Sequence, residues 1–344
     1  MASTRRLTVL LVVAIGLLAG PPTGADAAPG CQSLRVPVAV DGVPGAGLYG
    51  ELCRPTGQAR AVQLLVHGAG YNHLYWDWPV DPAHYSYVRR ALAAGYATFN
   101  VDGLGAGAST RPASELLSPE HHAQALHGVV AQLRSGAIGG TAFRRVIWVG
   151  HSFGSLYGWL EADRYRDVDA FVLTATAHVV KPSGLSTATA DTYPAQLDPK
   201  FAGLGLDGGY LTTVPGTRDD LFYYAHGAER ANIAADELLK DLTSGAELGQ
   251  AIPLLDSAPP ETAPSRAIDV PTLLVVGAQD ALFCGPPDGL DCTAQNLRAQ
   301  EAPYYSRKAR LDVRVVPSTG HSLQLHRSAA RTSGEILDWV GRLR

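Results

Sequence analysis

The sequence predicts an α/β fold, in which helices cover both faces of a mainly parallel central sheet and a cap is inserted. Short, continuously apolar runs, typical of strands buried on both faces, alternate with helix-like segments through most of the chain. Several of these runs end in polar or glycine-rich turns. The segment 178–267 breaks the alternation, because it is rich in Ser, Thr, Pro and Gly and is too long for a loop.

Length and composition fit one large α/β domain with an insertion. The 344 residues carry 46% hydrophobic side chains and a formal net charge of −4. Such a chain can bury a sizeable core, and no basic cluster suggests a nucleic-acid partner. We expect a signal peptide over 1–27, the first part of the core over 28–177, the cap over 178–267 and the second part of the core over 268–344.

The N-terminal segment has the features of a secretory signal peptide. Arg5 and Arg6 precede an apolar run over 7–19, and small residues up to Ala27 provide a cleavage site. The run is too short to span a bilayer comfortably, and no cysteine follows directly for lipid attachment. We therefore expect a secreted protein without a stable membrane anchor. The arginine pair leaves twin-arginine export open.

The four cysteines fit an oxidising compartment. Cys31 and Cys53 flank a predicted hairpin, and Cys284 and Cys292 bracket a tight loop. Three connectivities are possible, and we expect the nearest-neighbour pairing, 31–53 and 284–292. No metal site is expected, because the cysteines lack C-x-x-C spacing or nearby paired histidines.

The individual elements follow from the hydrophobic pattern. Two strands, 36–40 and 48–54, form the hairpin around a Gly/Pro turn. The later predicted strands are 61–66, 97–101, 146–149, 170–176, 272–276 and 311–316. The predicted helices are 85–94, 118–134, 153–165, 233–242, 293–302 and 328–343.

A glycine-flanked serine stands between a predicted strand and a predicted helix. The segment Gly150-His-Ser-Phe-Gly154 has the G-x-S-x-G pattern, which places a serine hydroxyl on a sharp turn above the sheet. Gly150 and Gly154 supply the small neighbours that such a turn requires, and Ser152 would lie at the positive end of the helix. The segment therefore predicts a nucleophile at Ser152. The alternative is an ordinary loop between strand and helix, whose serine has no catalytic role.

A serine nucleophile needs a base, and the base needs an orienting acid. The carboxyl ends of parallel strands meet at one edge of an open α/β sheet. Asp280 follows the strand predicted at 272–276, and His321 follows the strand predicted at 311–316. We expect Ser152, Asp280 and His321 to form a catalytic triad.

Other residues remain candidates for these two roles. His326 is the alternative base, and Asp288 and Asp291 are the alternative acids. His151 lies beside the nucleophile and must point away from it, so we expect a packed side chain there.

The oxyanion of a tetrahedral intermediate requires two backbone donors. We expect them at Phe153, which follows the nucleophile, and at Ala69, in the loop after strand 61–66. No cofactor is expected. The glycine-rich turn 102–109 lacks both the lysine of a phosphate loop and the spacing of a dinucleotide fingerprint. We expect Asp102 to hold backbone amides there.

These motifs resemble those of the α/β-hydrolase superfamily, in their expected order. They are His67-Gly68, Asp102-x-x-Gly105-x-Gly107-x-Ser109, Gly150-His-Ser-Phe-Gly154, Gly277-x-x-Asp280 and Gly320-His321. A looser similarity to secreted fungal and bacterial members rests on 75–78, 85–88, 95–98, 216–218 and 221–224. The resemblance implies the α/β-hydrolase fold and a serine esterase or lipase-like activity without metal or organic cofactor. It does not indicate a particular substrate.

Three hypotheses about function follow. The first is a secreted serine hydrolase that cleaves a carboxylic ester, lactone or thioester. The second is an acyltransferase on the same triad, and the third is a non-catalytic binding protein. We expect a small-molecule substrate of the ester type that is apolar and moderately large, and no obligate protein partner. The cap and the loop 71–78 should line its pocket, which includes Gly70, Tyr71 and Trp76. The same aromatic residues could instead form a small core of their own.

Overall fold

A central sheet organises the protein, whose computed structural model describes residues 30–256 and 259–343. The strands of this part of the chain are β1 Cys31–Pro37, β2 Gly47–Cys53, β3 Val62–Val66, β4 Ala97–Val101, β5 Val146–His151, β6 Ala170–Thr174, β7 Thr192–Pro194, β8 Tyr210–Thr213, β9 Thr243–Ser244, β10 Thr272–Gly277 and β11 Asp312–Val316. The segment predicted as a signal peptide, 1–27, lies outside the described residues.

Eight of these strands form the central sheet, in the order β1-β2-β4-β3-β5-β6-β10-β11. The two pairings that involve β2 are antiparallel, and the other five are parallel. The predicted mainly parallel α/β sheet is therefore confirmed. All residues of β3, β4, β5, β6 and β10 are buried, which agrees with their continuous apolar runs.

Helices cover the two faces of this sheet. Their bounds are α1 Pro82–Tyr85, α2 Tyr87–Ala93, α3 Pro119–Ser135, α4 Phe153–Arg164, α5 Pro182–Ala190, α6 Arg218–Phe222, α7 Arg230–Leu239, α8 Gly245–Asp256, α9 Ala294–Glu301 and α10 Ala329–Gly341. Ser118 caps α3 by accepting a hydrogen bond from the His121 amide, and Gly136 ends it with a left-handed backbone at φ 81°. The hydrophobic residues divide into two clusters, with Leu64 in one and Leu65 in the other. This division follows the alternation of side chains along a strand.

The helix predicted over 85–94 is confirmed as α2, but it begins two residues later, at Tyr87, because the chain breaks at Ser86. This residue has an extended backbone (φ −75°, ψ 114°), and its hydroxyl accepts a hydrogen bond from the Arg89 amide. The Trp76 carbonyl accepts the Tyr87 amide at 2.9 Å, so the chain starts a new helix there. Serine capping within the run therefore separates α1 from α2.

The predicted cap segment has more regular structure than its sequence indicates. Strands β7, β8 and β9 form an antiparallel sheet of their own, and the same segment contains α5 to α8. The helix predicted at 233–242 begins earlier and ends at Leu239, because Lys240 has an extended ψ of 153°. Strands of two to four residues are too short to show a period in the sequence. We keep 178–267 as the proposed extent of the cap.

The two disulfides have the expected pairing. Cys31 and Cys53 are opposite each other on β1 and β2, and they are joined. Cys284 and Cys292 close the loop that follows β10. Among the described residues, no helix combines the length and the apolar character that a bilayer crossing needs.

Candidate active site

Ser152 lies on a strained turn between β5 and α4. Its backbone angles are φ 51° and ψ −117°, a conformation that a non-glycine residue adopts only when its surroundings enforce it. A Cβ on Gly150 would lie 2.4 Å from the Gly154 carbonyl oxygen, and one on Gly154 would lie 2.4 Å from the Val66 carbonyl oxygen. Glycine is therefore required on both sides of Ser152, as the sequence pattern predicts.

The structure brings Asp280 and His321 together. Asp280 Oδ2 lies 2.9 Å from His321 Nδ1, and both side chains are almost completely buried. Asp280 Oδ1 accepts a hydrogen bond from the Leu282 amide at 2.9 Å, which fixes the carboxylate. A carboxylate at Nδ1 holds the proton on that nitrogen, so Nε2 is left as the basic atom. His321 and Ser152 line the same cavity.

The two expected oxyanion donors also border this cavity. Ala69 and Phe153 both line it, and a Cβ on Gly68 would lie 2.9 Å from Ser152 Cβ. The loop after β3 therefore passes directly over the serine. Within the described part of the chain, neither the Ala69 nor the Phe153 amide donates a hydrogen bond.

Backbone pairing with the cap holds the loop that carries Ala69. The Asp241 amide donates to the Gly70 carbonyl at 2.9 Å, and the Gly70 amide donates to the Leu242 carbonyl at 3.3 Å. On its other side, His67 Nδ1 lies 2.8 Å from the Gly68 carbonyl, and His67 Nε2 accepts a hydrogen bond from the Gly103 amide of the core at 2.8 Å. The loop is therefore fixed by contacts with both the core and the cap.

The cavity has a volume of about 410 Å³, within the usual range for small-molecule sites. Its polar members lie near Ser152 and along the cap strands, and the rest of its wall is apolar. The apolar lining comes from Val180, Leu185, Ala188, Leu211, Leu221, Phe222, Leu248, Ile252, Leu255, Leu282 and Phe283.

Two of the three predicted pocket residues do not line this cavity. Gly70 does, but Trp76 is completely buried and packs against Tyr75 and Tyr87 instead. Tyr71 is also buried, with its hydroxyl bound to other side chains. The aromatic loop after β3 contributes to the core beneath the site, because its large rings turn inward against the sheet.

The cap helices α5 and α8 supply much of the lining, and the sequence interpretation named none of their residues. A signal was present in α8, because Leu248, Ile252 and Leu255 recur at helical spacing. Pro253 lies inside this helix and obscures the pattern.

Comparison with known proteins agrees with this geometry. The family model described as "Alpha/beta hydrolase family" matches residues 63–332, which is more than half of the chain. The chain belongs to this family.

Solved structures with similar folds include several hydrolases. One is a thermophilic esterase from Thermogutta terrifontis, 18% identical, covering 90% of this chain and 98% of its own, with a TM-score of 0.56. A monoglyceride lipase from Saccharomyces cerevisiae is 14% identical, covering 90% and 96%, with a TM-score of 0.61. An esterase from Exiguobacterium antarcticum is 17% identical, covering 90% and 100%, with a TM-score of 0.60. No curated protein matches the sequence.

The alternative base of this alpha/beta hydrolase, His326, has a different place in the structure. Its Nε2 accepts hydrogen bonds from the Gly320 and Tyr224 amides, both at 3.0 Å, and its Nδ1 lies 2.9 Å from the Ser322 carbonyl. Both ring nitrogens are therefore occupied. His326 holds the turn on which His321 stands.

The alternative acids do not reach His321 either. The Asp288 carboxylate accepts hydrogen bonds from the Ser183 amide and hydroxyl, at 2.9 and 2.6 Å. Asp291 is exposed, and its carbonyl accepts the Thr293 amide. The loop closed by the second disulfide therefore does not contribute the carboxylate that orients the base.

His151 packs tightly beside the nucleophile. Its ring stacks on Tyr75 with a centroid distance of 4.1 Å, and its Nδ1 lies 3.3 Å from Thr174 Oγ1. Burial, followed by the influence of His321 and His67, lowers the pKa of His151 well below its usual value. A neutral imidazole there adds no positive charge next to His321.

A buried ion pair in the cap is connected to the turn that carries His321. Arg218 Nε and Nη2 donate to the two oxygens of Asp236 at 2.9 Å each, and both side chains are 1% exposed. Tyr71 and Tyr223 donate to Asp236 Oδ2 at 3.1 and 3.0 Å. Tyr71 also lies 2.6 Å from Ser322 Oγ, next to His321 in the chain.

The glycine-rich turn after β4 has the structural role that we expect for it. Asp102 Oδ1 accepts the His73 amide at 2.8 Å and lies 2.7 Å from His73 Nδ1, while Oδ2 accepts the Ala108 amide at 2.9 Å. Burial raises the pKa of Asp102, but the hydrogen bond and charge of His73 outweigh it and lower the pKa overall.

We expect the folded protein to lose stability on acidification from pH 7 towards pH 4. Burial lowers the pKa of His326 to about 4, whereas an unfolded histidine titrates near pH 6.5. Below about pH 6.5 this histidine is protonated in the unfolded chain but stays neutral in the folded protein. The free energy of unfolding therefore falls by up to about 3 kcal/mol. Urea unfolding at pH 7 and pH 4.5 measures this loss.

The variant His326→Gln should show a shallower pH dependence of unfolding, although it is less stable at pH 7. His226→Gln, at an exposed position, serves as the control, and its free energy of unfolding should change with pH as that of the wild type does. An unchanged slope in His326→Gln would show that this histidine does not govern the acid response.

Proposed function

We propose that this hydrolase cleaves carboxylic esters with an apolar acyl group, through an acyl-enzyme on Ser152. The observation that carries the proposal is the single apolar cavity on which Ser152 and the Asp280-bound His321 both open. The esterases and the monoglyceride lipase of similar fold support an ester as the substrate class. The predicted signal peptide and the two disulfides support a secreted enzyme.

In the first half-reaction, Ser152 Oγ attacks the carbonyl carbon while His321 Nε2 takes the hydroxyl proton. The electron pair of the carbonyl double bond moves to its oxygen, which the Ala69 and Phe153 amides stabilise. Each such donor contributes about 3–4 kcal/mol in the transition state. The intermediate then expels the alcohol, which takes the proton from His321.

Hydrolysis of the acyl-enzyme repeats these steps with water. His321 removes a proton from the water, which attacks the acyl carbon, and Ser152 leaves with that proton. Asp280 keeps the His321 ring oriented throughout and stabilises its positive form. No step requires a group beyond these residues.

The length of the acyl chain should govern the rate. We expect kcat/KM for p-nitrophenyl esters to rise about fourfold per methylene from acetate until the cavity is filled, because each buried methylene contributes about 0.8 kcal/mol. Ile252→Phe, which reduces the cavity, should slow the longer esters and leave acetate almost unchanged. Steady-state kinetics over the series measures both effects.

Two outcomes would contradict parts of this proposal. A chain-length profile that is identical in wild type and Ile252→Phe would show that the cavity does not hold the acyl group. If added alcohol diverted most of the acyl group to a new ester, the enzyme would be an acyltransferase. Neither result depends on the choice of nucleophile, which a separate variant tests.

A further inference from the structure

A cluster of three titratable side chains lies away from the cavity, between α3 and α4. His127 belongs to α3, Glu161 to the last turns of α4, and Asp167 to the turn that leads into β6. Helix α4 starts at the nucleophile and runs back along the sheet, so Glu161 lies about 12 Å further along its axis. The cluster therefore has no part in the proposed reaction.

The ligand atoms of these side chains converge. One atom from each of His127, Glu161 and Asp167 lies within 4.8 Å of the others. His127 Nδ1 is 2.7 Å from Asp167 Oδ2, and the ring is held by stacking on Tyr165 with a centroid distance of 3.9 Å. Zinc ligands at about 2.0–2.2 Å from the metal lie about 3.4 Å apart in a tetrahedron. The cluster needs only small side-chain movements to reach that spacing.

Two polar atoms of the cluster have no hydrogen-bond partner among the described residues. They are Glu161 Oε2 and Asp167 Oδ1, and both are buried. The other oxygen of Glu161 accepts the Asp167 amide at 3.4 Å, which leaves Oε2 directed into the cluster. Buried polar atoms without partners are rare and call for a missing partner.

The charges of the cluster also indicate a missing partner. Glu161 is completely buried beside a second carboxylate, and such a pair is unfavourable unless a cation or a proton neutralises it. The Arg134 guanidinium donates to the Asp167 carbonyl and to the Asp169 carboxylate, and not to the carboxylates of the cluster. A divalent cation bound by His127 Nδ1 and the two unpartnered oxygens would neutralise both carboxylates, whereas one proton would neutralise only one.

We propose that His127, Glu161 and Asp167 bind a divalent cation of the zinc class and so join α3 to α4. One imidazole with two carboxylates suits Zn²⁺ better than Ca²⁺ or Mg²⁺, which prefer oxygen ligands alone. The His127 and Asp167 side chains are 36% and 23% exposed, so a metal can enter and water can fill its fourth position. The site would stabilise the fold.

The test uses the full-length protein without a polyhistidine tag, stripped by chelator dialysis. Titration calorimetry with ZnCl₂ should show one site with a Kd in the micromolar range or tighter. At a free zinc concentration of about one hundred times Kd, Tm should rise by about 5 °C. Ester hydrolysis should be unchanged, because the cluster is remote from Ser152.

Two variants make the test decisive. Glu161→Gln keeps the shape and removes the buried charge, so it should fold without metal and bind zinc at least tenfold more weakly. His226→Ala, at an exposed histidine outside the cluster, should bind zinc as wild type does. Equal zinc affinity and equal Tm shifts in wild type and Glu161→Gln would overturn the proposal. Stabilisation by Ca²⁺ but not by Zn²⁺ would overturn the assigned class of metal.

Discussion

Replacing Ser152 by alanine is expected to lower kcat for p-nitrophenyl esters by about 10⁴-fold or more. In the proposed mechanism this hydroxyl forms the acyl-enzyme, and the proposed oxyanion donors and the cavity remain in place to give a small residual rate. Tm should stay close to the wild-type value, because the strained backbone at Ser152 depends on its glycine neighbours rather than on its own hydroxyl. Steady-state kinetics and thermal unfolding test these expectations.

Asp280→Asn is the companion variant for the same mechanism. An amide at this position fits the space but stabilises the wrong tautomer of His321, so kcat should fall by about 10⁴-fold. Asp288→Asn is the matched control, since Asp288 contacts Ser183 and its replacement should leave kcat unchanged.

Turnover by Ser152→Ala equal to that of wild type would refute the nucleophile. A larger loss in Asp288→Asn than in Asp280→Asn would refute the acid.

The largest effect on stability is expected from Asp236→Asn. This change leaves the Arg218 guanidinium buried without its counter-charge, which costs about 3–5 kcal/mol. Arg218→Met should be similarly damaging, because it leaves the Asp236 carboxylate buried. The double variant Arg218→Met/Asp236→Asn should be far less destabilised than the sum of the two single changes. Urea unfolding of all the variants closes the cycle.

The exposed ion pair between Arg331 and Glu335 provides the control for that cycle. Its partners lie 2.8 Å apart, with the arginine 59% exposed, so its loss should cost less than about 1 kcal/mol. Strict additivity of the Arg218 and Asp236 changes would contradict the coupling that their hydrogen bonds indicate.

The sequence was sufficient to predict that His321 contacts Asp280 and lies on one cavity with Ser152. Ser152, Asp280 and His321 each follow an apolar run, and parallel strands place their carboxyl ends at one edge of the sheet. That rule does not depend on the loops between the strands. For the same reason the central sheet could be predicted, because each of its buried strands has a continuous apolar pattern.

The cap could not be predicted in the same way. Its strands are short, and their partners are chosen by contacts distant in sequence, as between Thr213 and Thr192. The Arg218–Asp236 pair gives no local signal, since a lone arginine and a lone aspartate are usually solvated. Trp76 was misplaced because an aromatic residue after a strand fits a pocket wall and a core equally well until the direction of its side chain is known.

The backbone pairing of Gly70 with residues 241–242 has a consequence for protein engineering. A cap is commonly regarded as a separate module that can be exchanged to alter substrate preference. Here an exchange of the cap would also replace the Leu242 carbonyl and the Asp241 amide, which form the hydrogen bonds that hold the loop of Ala69. A chimera would therefore change turnover as well as selectivity, unless the graft retains the main-chain path at 241–242.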